Sequence, residues 1–117
     1  MKPAPIKATI PIEDLHRIDI RVGTIRSVEN VARSKKLVSL TVDFGDHQRT
    51  ILAGMRQERE DSAEIEGRQA LFVVNLSPRK MAGIVSEGML FDIGYEDGIV
   101  PVLAGPEKPV PDGTRAG

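Results

Sequence analysis

Arg79 and Lys80 are adjacent cations set between Pro78 and Met81, inside the stretch Asn75-Leu-Ser-Pro-Arg-Lys-Met-Ala-Gly-Ile-Val-Ser-Glu-Gly-Met89. Two neighbouring positive charges on a segment punctuated by proline and glycine suit the grip of an anion such as phosphate. A connecting turn needs only Gly, Pro, Asn or Asp to set its dihedrals, and this one carries charge and sulfur as well. A second group of cations, Arg33, Lys35 and Lys36, lies in residues 29–36 against the single acid Glu29. Arg49 and Arg56 could extend such a patch or simply be solvated. The Asn75 amide could read a base edge or ribose, and equally could cap a neighbouring backbone. Ser86 could donate to a ligand or close its own loop. Met81 and Met89 could form an adaptable apolar lip suited to a peptide or a base, and Met89 could instead pack in the core.

These residues need a scaffold. Ile18, Ile20 and Val22 alternate with Asp19 and Arg21, as a strand does, and the phase slips after Gly23, which predicts a bulge or bend there. Asp19 and Arg21 share one side of that strand and are expected to form an ion pair. Val38, Leu40, Val42 and Phe44 alternate cleanly with Ser39, Thr41 and Asp43, and after Gly45-Asp46 the chain returns as Gln48 to Ala53. Residues 58–66 are too charged for a strand. Ser62 is placed to cap a short helix carrying Ala63 and Ile65 inward, with Gly67 ending it. Gln69 to Leu76 is apolar almost throughout, as a strand covered on both faces would be. Met89 to Ile93 and Ile99 to Leu103 complete the set.

Three strands, a short helix and two or three more strands describe an all-β, five-stranded Greek-key barrel, the OB-fold, with N- and C-terminal extensions. In that fold the loops joining strands one to two and four to five flank the ligand face. Here those are residues 29–36 and 77–88, the two cation-bearing segments. The expected organisation is an arm over 1–11, the barrel over 12–104 and an extension over 105–117.

Composition narrows the chemistry. The chain has 117 residues, net charge −1 and no cysteine. Thiol catalysis, disulfides and thiolate metal sites are excluded, and His16 and His47 lack spaced partners for a metal. Phe44, Phe72, Phe91 and Tyr95 are the only aromatics, so an extended stacking platform is not expected. Gly83-Ile-Val-Ser-Glu-Gly88 lacks the nucleophile-elbow spacing, and no phosphate-cradling P-loop occurs. No cofactor and no catalytic residue are expected. No apolar run approaches the ~20 residues that cross a bilayer, and the N-terminus lacks a signal-peptide core, so membrane insertion is not expected and a cytoplasmic location is.

Four blocks carry a family resemblance: Leu15-His-Arg-Ile-Asp-Ile-Arg-Val-Gly-Thr-Ile25, Val42-Asp-Phe-Gly45, Asn75 to Leu90, and Lys108-Pro-Val-Pro-Asp-Gly-Thr114. Together they resemble the tRNA-binding OB domain appended to methionyl-tRNA synthetases and to the phenylalanyl enzyme's β-subunit, which also occurs free-standing, as in the CsaA-type export chaperones. The resemblance implies a non-catalytic, homodimeric tRNA binder, with the arm and the 105–117 tail at the dimer interface. Implied nucleic-acid contacts are Arg33, Lys35, Lys36, Asn75, Arg79, Lys80 and Ser86, with Met81 and Met89 contacting base or peptide. The alternative it implies is a chaperone for unfolded or precursor polypeptides. Where the family often has His-Pro-x-Ala-Asp-x-Leu, this chain has Asn30-Val-Ala-Arg-Ser-Lys-Lys-Leu37, which exchanges an acid for cations.

Overall fold

Alternation of apolar side chains builds one curled antiparallel sheet, seen in a computed structural model that describes residues 2–117. A short helix α1 (Ile12–His16) precedes β1 (Ile20–Asn30), β2 (Val38–Asp43) and β3 (Gln48–Ala53). A 3-10 turn (Ser62–Ile65) leads into β4 (Gln69–Val73), and β5 (Arg79–Met81), β6 (Ile84–Ser86) and β7 (Met89–Leu90) follow. Three short strands, β8 (Asp92–Ile93), β9 (Val102–Leu103) and β10 (Arg115–Ala116), end the chain. The main sheet runs β3-β2-β1-β4-β7, with β10 added beside β1. Its concave side holds Ile25, Val38, Leu40, Val42, Ile51, Ile65 and Phe72, each fully buried. Burying side chains of this size stabilises by roughly 1.5–3 kcal/mol each, which is why the apolar half of the alternation dictates the register.

The sheet closes on itself between β3 and the chain just after β6. Glu87 N donates to Thr50 O at 2.8 Å, and the Glu87 carboxylate accepts from Thr50 N at 3.1 Å. The Ser86 hydroxyl accepts from Leu52 N at 3.0 Å and donates to Gly88 O at 3.0 Å. A Cβ on Gly88 would stand 2.9 Å from Val73 O and 3.1 Å from Ile51 Cδ1, so only glycine lets these layers meet. Ser86-Glu-Gly-Met89 is therefore the clasp of the barrel.

Several elements depart from the pattern read in the sequence. The register shift in β1 lies between Ile25 and Ser27, not at Gly23. Gly23 instead gives room to the core, since a Cβ there would stand 2.5 Å from Val42 Cγ1. The 3-10 turn is capped by Asp61, whose side chain accepts from Ala63 N at 3.1 Å, and not by Ser62. Of its two apolar residues only Ile65 is buried. β4 ends at Val73, with Leu71 half-buried and Leu76 exposed, so it is not covered on both faces along its length. The expected fifth strand is split, because β7 pairs with β4 while β8 turns to pair with β9.

The tail is stitched to the barrel rather than free. Thr24 Oγ1 donates to Asp112 Oδ1 at 2.6 Å, Gln69 Nε2 donates to the same oxygen at 3.0 Å, and Gly113 N donates to Val22 O at 2.7 Å. The N-terminal segment differs: residues 2–18, which take in the arm and helix α1, are exposed throughout, Ile6 completely. Phe91, Ile93, Tyr95, Ile99, Val100 and Val102 expose a second group of apolar side chains.

Asp92 sits half-buried at the head of β8, and burial pushes its carboxyl above the usual range. Glu58 is raised as well, first by burial and then by the charge of Asp92. A carboxyl whose folded-state pKa exceeds its unfolded one costs stability once both states ionise. Asp92→Asn is therefore expected to stabilise the protein at neutral pH. The advantage should fade as pH falls through the raised pKa and vanish below the ordinary carboxylate range. Denaturant midpoints of both proteins across acid to neutral pH measure it, and a pH-independent difference would refute the charge as its cause.

Candidate nucleic-acid interface

The loop between β1 and β2 is held by its own backbone. Val31 is buried as an anchor at 2 % exposure. The Ser34 hydroxyl accepts from Lys36 N at 3.1 Å and from Leu37 N at 3.0 Å. Arg56 braces the loop from behind: its N–H donates to Lys36 O at 3.0 Å, and its guanidinium donates to Val31 O at 3.3 Å and to Ser34 O. Arg33, Lys35 and Lys36 project from this frame, all exposed. Among the described residues none of the three is in an ion pair.

The expected loop at 77–88 is a β-hairpin. Arg79 pairs with Ser86, Lys80 with Val85 and Met81 with Ile84. Ala82 and Gly83 form the turn with φ of 49° and 86°, both positive, as a two-residue type I′ connection requires. The sequence concealed it because alanine, not Asn, Asp or Gly, holds the first turn position. Successive strand residues point to opposite faces, so Arg79 lies on the side of Met81, Ile84 and buried Ser86, and Lys80 on the side of exposed Val85. Both cations are exposed and, among the described residues, unpaired.

The two cation-bearing elements come together. A Cβ placed on Gly83 at the hairpin tip would stand 3.8 Å from Arg33 Nη1. The outer face of the adjoining sheet carries small hydroxyl side chains, with Ser27 opposite Thr41 and Thr41 opposite Thr50. Such hydroxyls can bond phosphate and sugar oxygens. Motif spacing did not single them out, although the alternation over 38–43 already set Ser39 and Thr41 opposite the core.

Other candidate residues hold the fold. The Asn75 Oδ1 accepts from Asp19 N at 2.8 Å and its Nδ2 donates to Arg17 O at 2.7 Å, so both ends of the amide serve the backbone. Ser86 is 3 % exposed and has its hydroxyl engaged twice, which leaves it no donor for a ligand. Arg49 donates to Val74 O at 2.7 Å and Glu87 O at 3.0 Å, and its guanidinium lies 6.0 Å from the Phe44 ring centre. Arg49 is thus a strut across the clasp, neither patch nor solvated cation. Asp19 and Arg21 form a bidentate pair at 2.9 and 3.1 Å, and the Arg21 guanidinium holds the Asp19 carboxyl below its usual range. Met81 is half-buried in the hairpin, whereas Met89 is 45 % exposed and pairs with Val73 at the end of the clasp.

A family model described as "Putative tRNA binding domain" matches residues 20–115. The chain belongs to the tRNA-binding domain family. It is 40 % identical over 114 residues to a methionine–tRNA ligase of Parabacteroides distasonis, covering 97 % of this chain and 16 % of the ligase. It is 41 % identical over 109 residues to that of Archaeoglobus fulgidus, covering 93 % and 16 %. The chain thus spans about one sixth of the ligases it matches. The structure of a MetRS-related protein from Pyrococcus horikoshii superposes with a TM-score of 0.85 at 35 % identity, covering 94 % of this chain and 99 % of that one. The CsaA chaperone of Bacillus anthracis superposes at 0.81 with 29 % identity, covering 94 % and 100 %. The shared architecture is the OB-like barrel. Among the described residues no helix is long and apolar enough to cross a membrane.

Proposed function

We propose that this protein is a non-catalytic binder of folded tRNA, using the face framed by the 29–36 loop and the 79–86 hairpin. The observation that carries this is the meeting of Gly83 with Arg33, which unites five exposed cations from two elements. Membership of the tRNA-binding domain family supports the ligand class. Arg33, Lys35, Lys36, Arg79 and Lys80 would contact phosphate, and the hydroxyls of Ser27, Ser39 and Thr41 would bond backbone oxygens between them. Asn75 and Ser86 leave the contact set because their polar atoms are spent within the fold. Net charge is −1, so one face should bind modestly.

A homodimer would present two such faces related by a two-fold axis, and simultaneous engagement would raise affinity for a folded RNA over a random strand. The exposed arm and the outer surface of the 105–117 tail would form that interface, and the location we propose is the cytoplasm. Titration of tRNA against rising salt, with the mass of the free protein in solution, tests both parts. A steep fall in affinity and a two-chain mass are expected, and salt-independent binding or a monomer would sink the respective part.

A second reading is a chaperone that holds unfolded or precursor polypeptides. The exposed Leu76, Val85 and Met89 near the hairpin favour it, as does the likeness to the CsaA chaperone structure. Apolar peptide binding should be nearly indifferent to salt, which separates the two readings.

A further inference from the structure

A cavity of about 270 Å³ opens beside the root of the basic loop, and its lining includes Val28, Asn30, Arg56, Glu60, Asp61 and Ser62. It shares a wall with that loop, since Asn30 ends β1 and Arg56 is the side chain that braces Val31 and Ser34. Its chemistry differs from that of the cationic rim. Glu60 has neither an ion pair nor a hydrogen bond among the described residues, and its neighbour Arg59 is held by Glu64. The Asn30 amide and the Ser62 hydroxyl are likewise free of protein partners among the described residues. Asp61 is committed to capping Ala63. Arg56 donates from its edge to two carbonyls, which leaves its planar face for stacking.

Two carboxylates repel phosphate, so the cavity suits a different part of a nucleotide. Bases of folded RNA that splay out are read on their hydrogen-bonding edges and stack on guanidinium planes. A carboxylate has two acceptor oxygens and no donor. Guanine alone sets two N–H donors side by side, at N1 and N2. Adenine and cytosine place an acceptor nitrogen beside the amino group, and uracil flanks its one N–H with carbonyls. We infer that this cavity takes one unstacked guanine of the bound RNA, with the Glu60 carboxylate receiving N1–H and N2–H, Asn30 meeting the rest of the edge and Arg56 under the ring. The inference rests on the RNA reading above and adds a base-reading site to a backbone-binding face.

Titration of the full chain with GMP, IMP and UMP, followed by backbone amide resonances, tests it. The three probes share the phosphate and differ in the base, and IMP lacks only the 2-amino group. GMP should shift the amides of Asn30, Ser62 and Ala63 and bind roughly tenfold tighter than IMP or UMP, within the range of a bidentate base contact. Glu60→Gln, on an exposed side chain, should bring the GMP-to-IMP ratio near one with the spectrum of the free protein otherwise preserved. Equal affinity for GMP and IMP, no shift at the cavity with any nucleotide, or a ratio that survives Glu60→Gln would each overturn the inference. Alanine at Arg79 and Lys80 separates it from the parent reading: tRNA binding that survives there defeats the cationic face while leaving a guanine preference intact.

Discussion

Alanine at both Arg79 and Lys80 is expected to lower tRNA affinity roughly a hundredfold at low salt, at about tenfold for each charge-assisted hydrogen bond to phosphate that is removed. The slope of log affinity against log salt should fall by about 0.7–0.9 for each cation removed, because each releases one fewer counterion. Neither residue forms an ion pair among the described residues, so their replacement should leave the fold unchanged. Strand geometry adds a finer expectation. The two side chains lie on opposite faces of the hairpin, so they cannot approach one phosphate from the same side. Each single variant should therefore lose its own contact, about tenfold, and the two losses should add. Filter or fluorescence titration at several salt concentrations measures all of this, and an unchanged slope in the double variant would remove the hairpin from the interface.

Ser86→Ala is expected to act on stability and not on binding. Its hydroxyl is the partner of Leu52 N inside the clasp and donates onward to Gly88 O. Without it a buried N–H is left unmatched, at a cost of about 1–3 kcal/mol. For a domain of this size that lowers the thermal midpoint by several degrees. The folded variant should bind tRNA as before, since Ser86 is 3 % exposed and its hydroxyl faces the barrel. Weaker binding at unchanged stability would return Ser86 to the ligand face. The two experiments together divide one short segment, 79–89, into a half that meets the ligand and a half that shuts the barrel.

That division explains what could be read in advance. Strand β2 was legible because apolar and polar residues alternate without interruption across 38–43, and burial enforces that period; β3 was legible because the Gly45-Asp46 turn sends the chain back beside it. The two cationic segments were legible as loops of one barrel because strand order dictates which connections share an end. The hairpin inside 77–88 was not, because Ala82 occupies a turn position that ordinarily announces itself with Asn, Asp or Gly. The cap at Asp61 was one residue from the expected Ser62, since several short polar side chains in a row can each serve and only the backbone chooses among them.

By itself the sequence determined the strand-rich barrel, the excess of positive charge on its two flanking connections, and the absence of any thiol chemistry. These follow from residue type and local period, which act over a few positions. Tertiary structure alone decided which polar side chains were still available to a ligand. Asn75, Ser86 and Arg49 find their partners 56, 34 and 25 residues away, at Asp19, Leu52 and Val74. A hydrogen bond has two ends, and the sequence displays only one of them at a time.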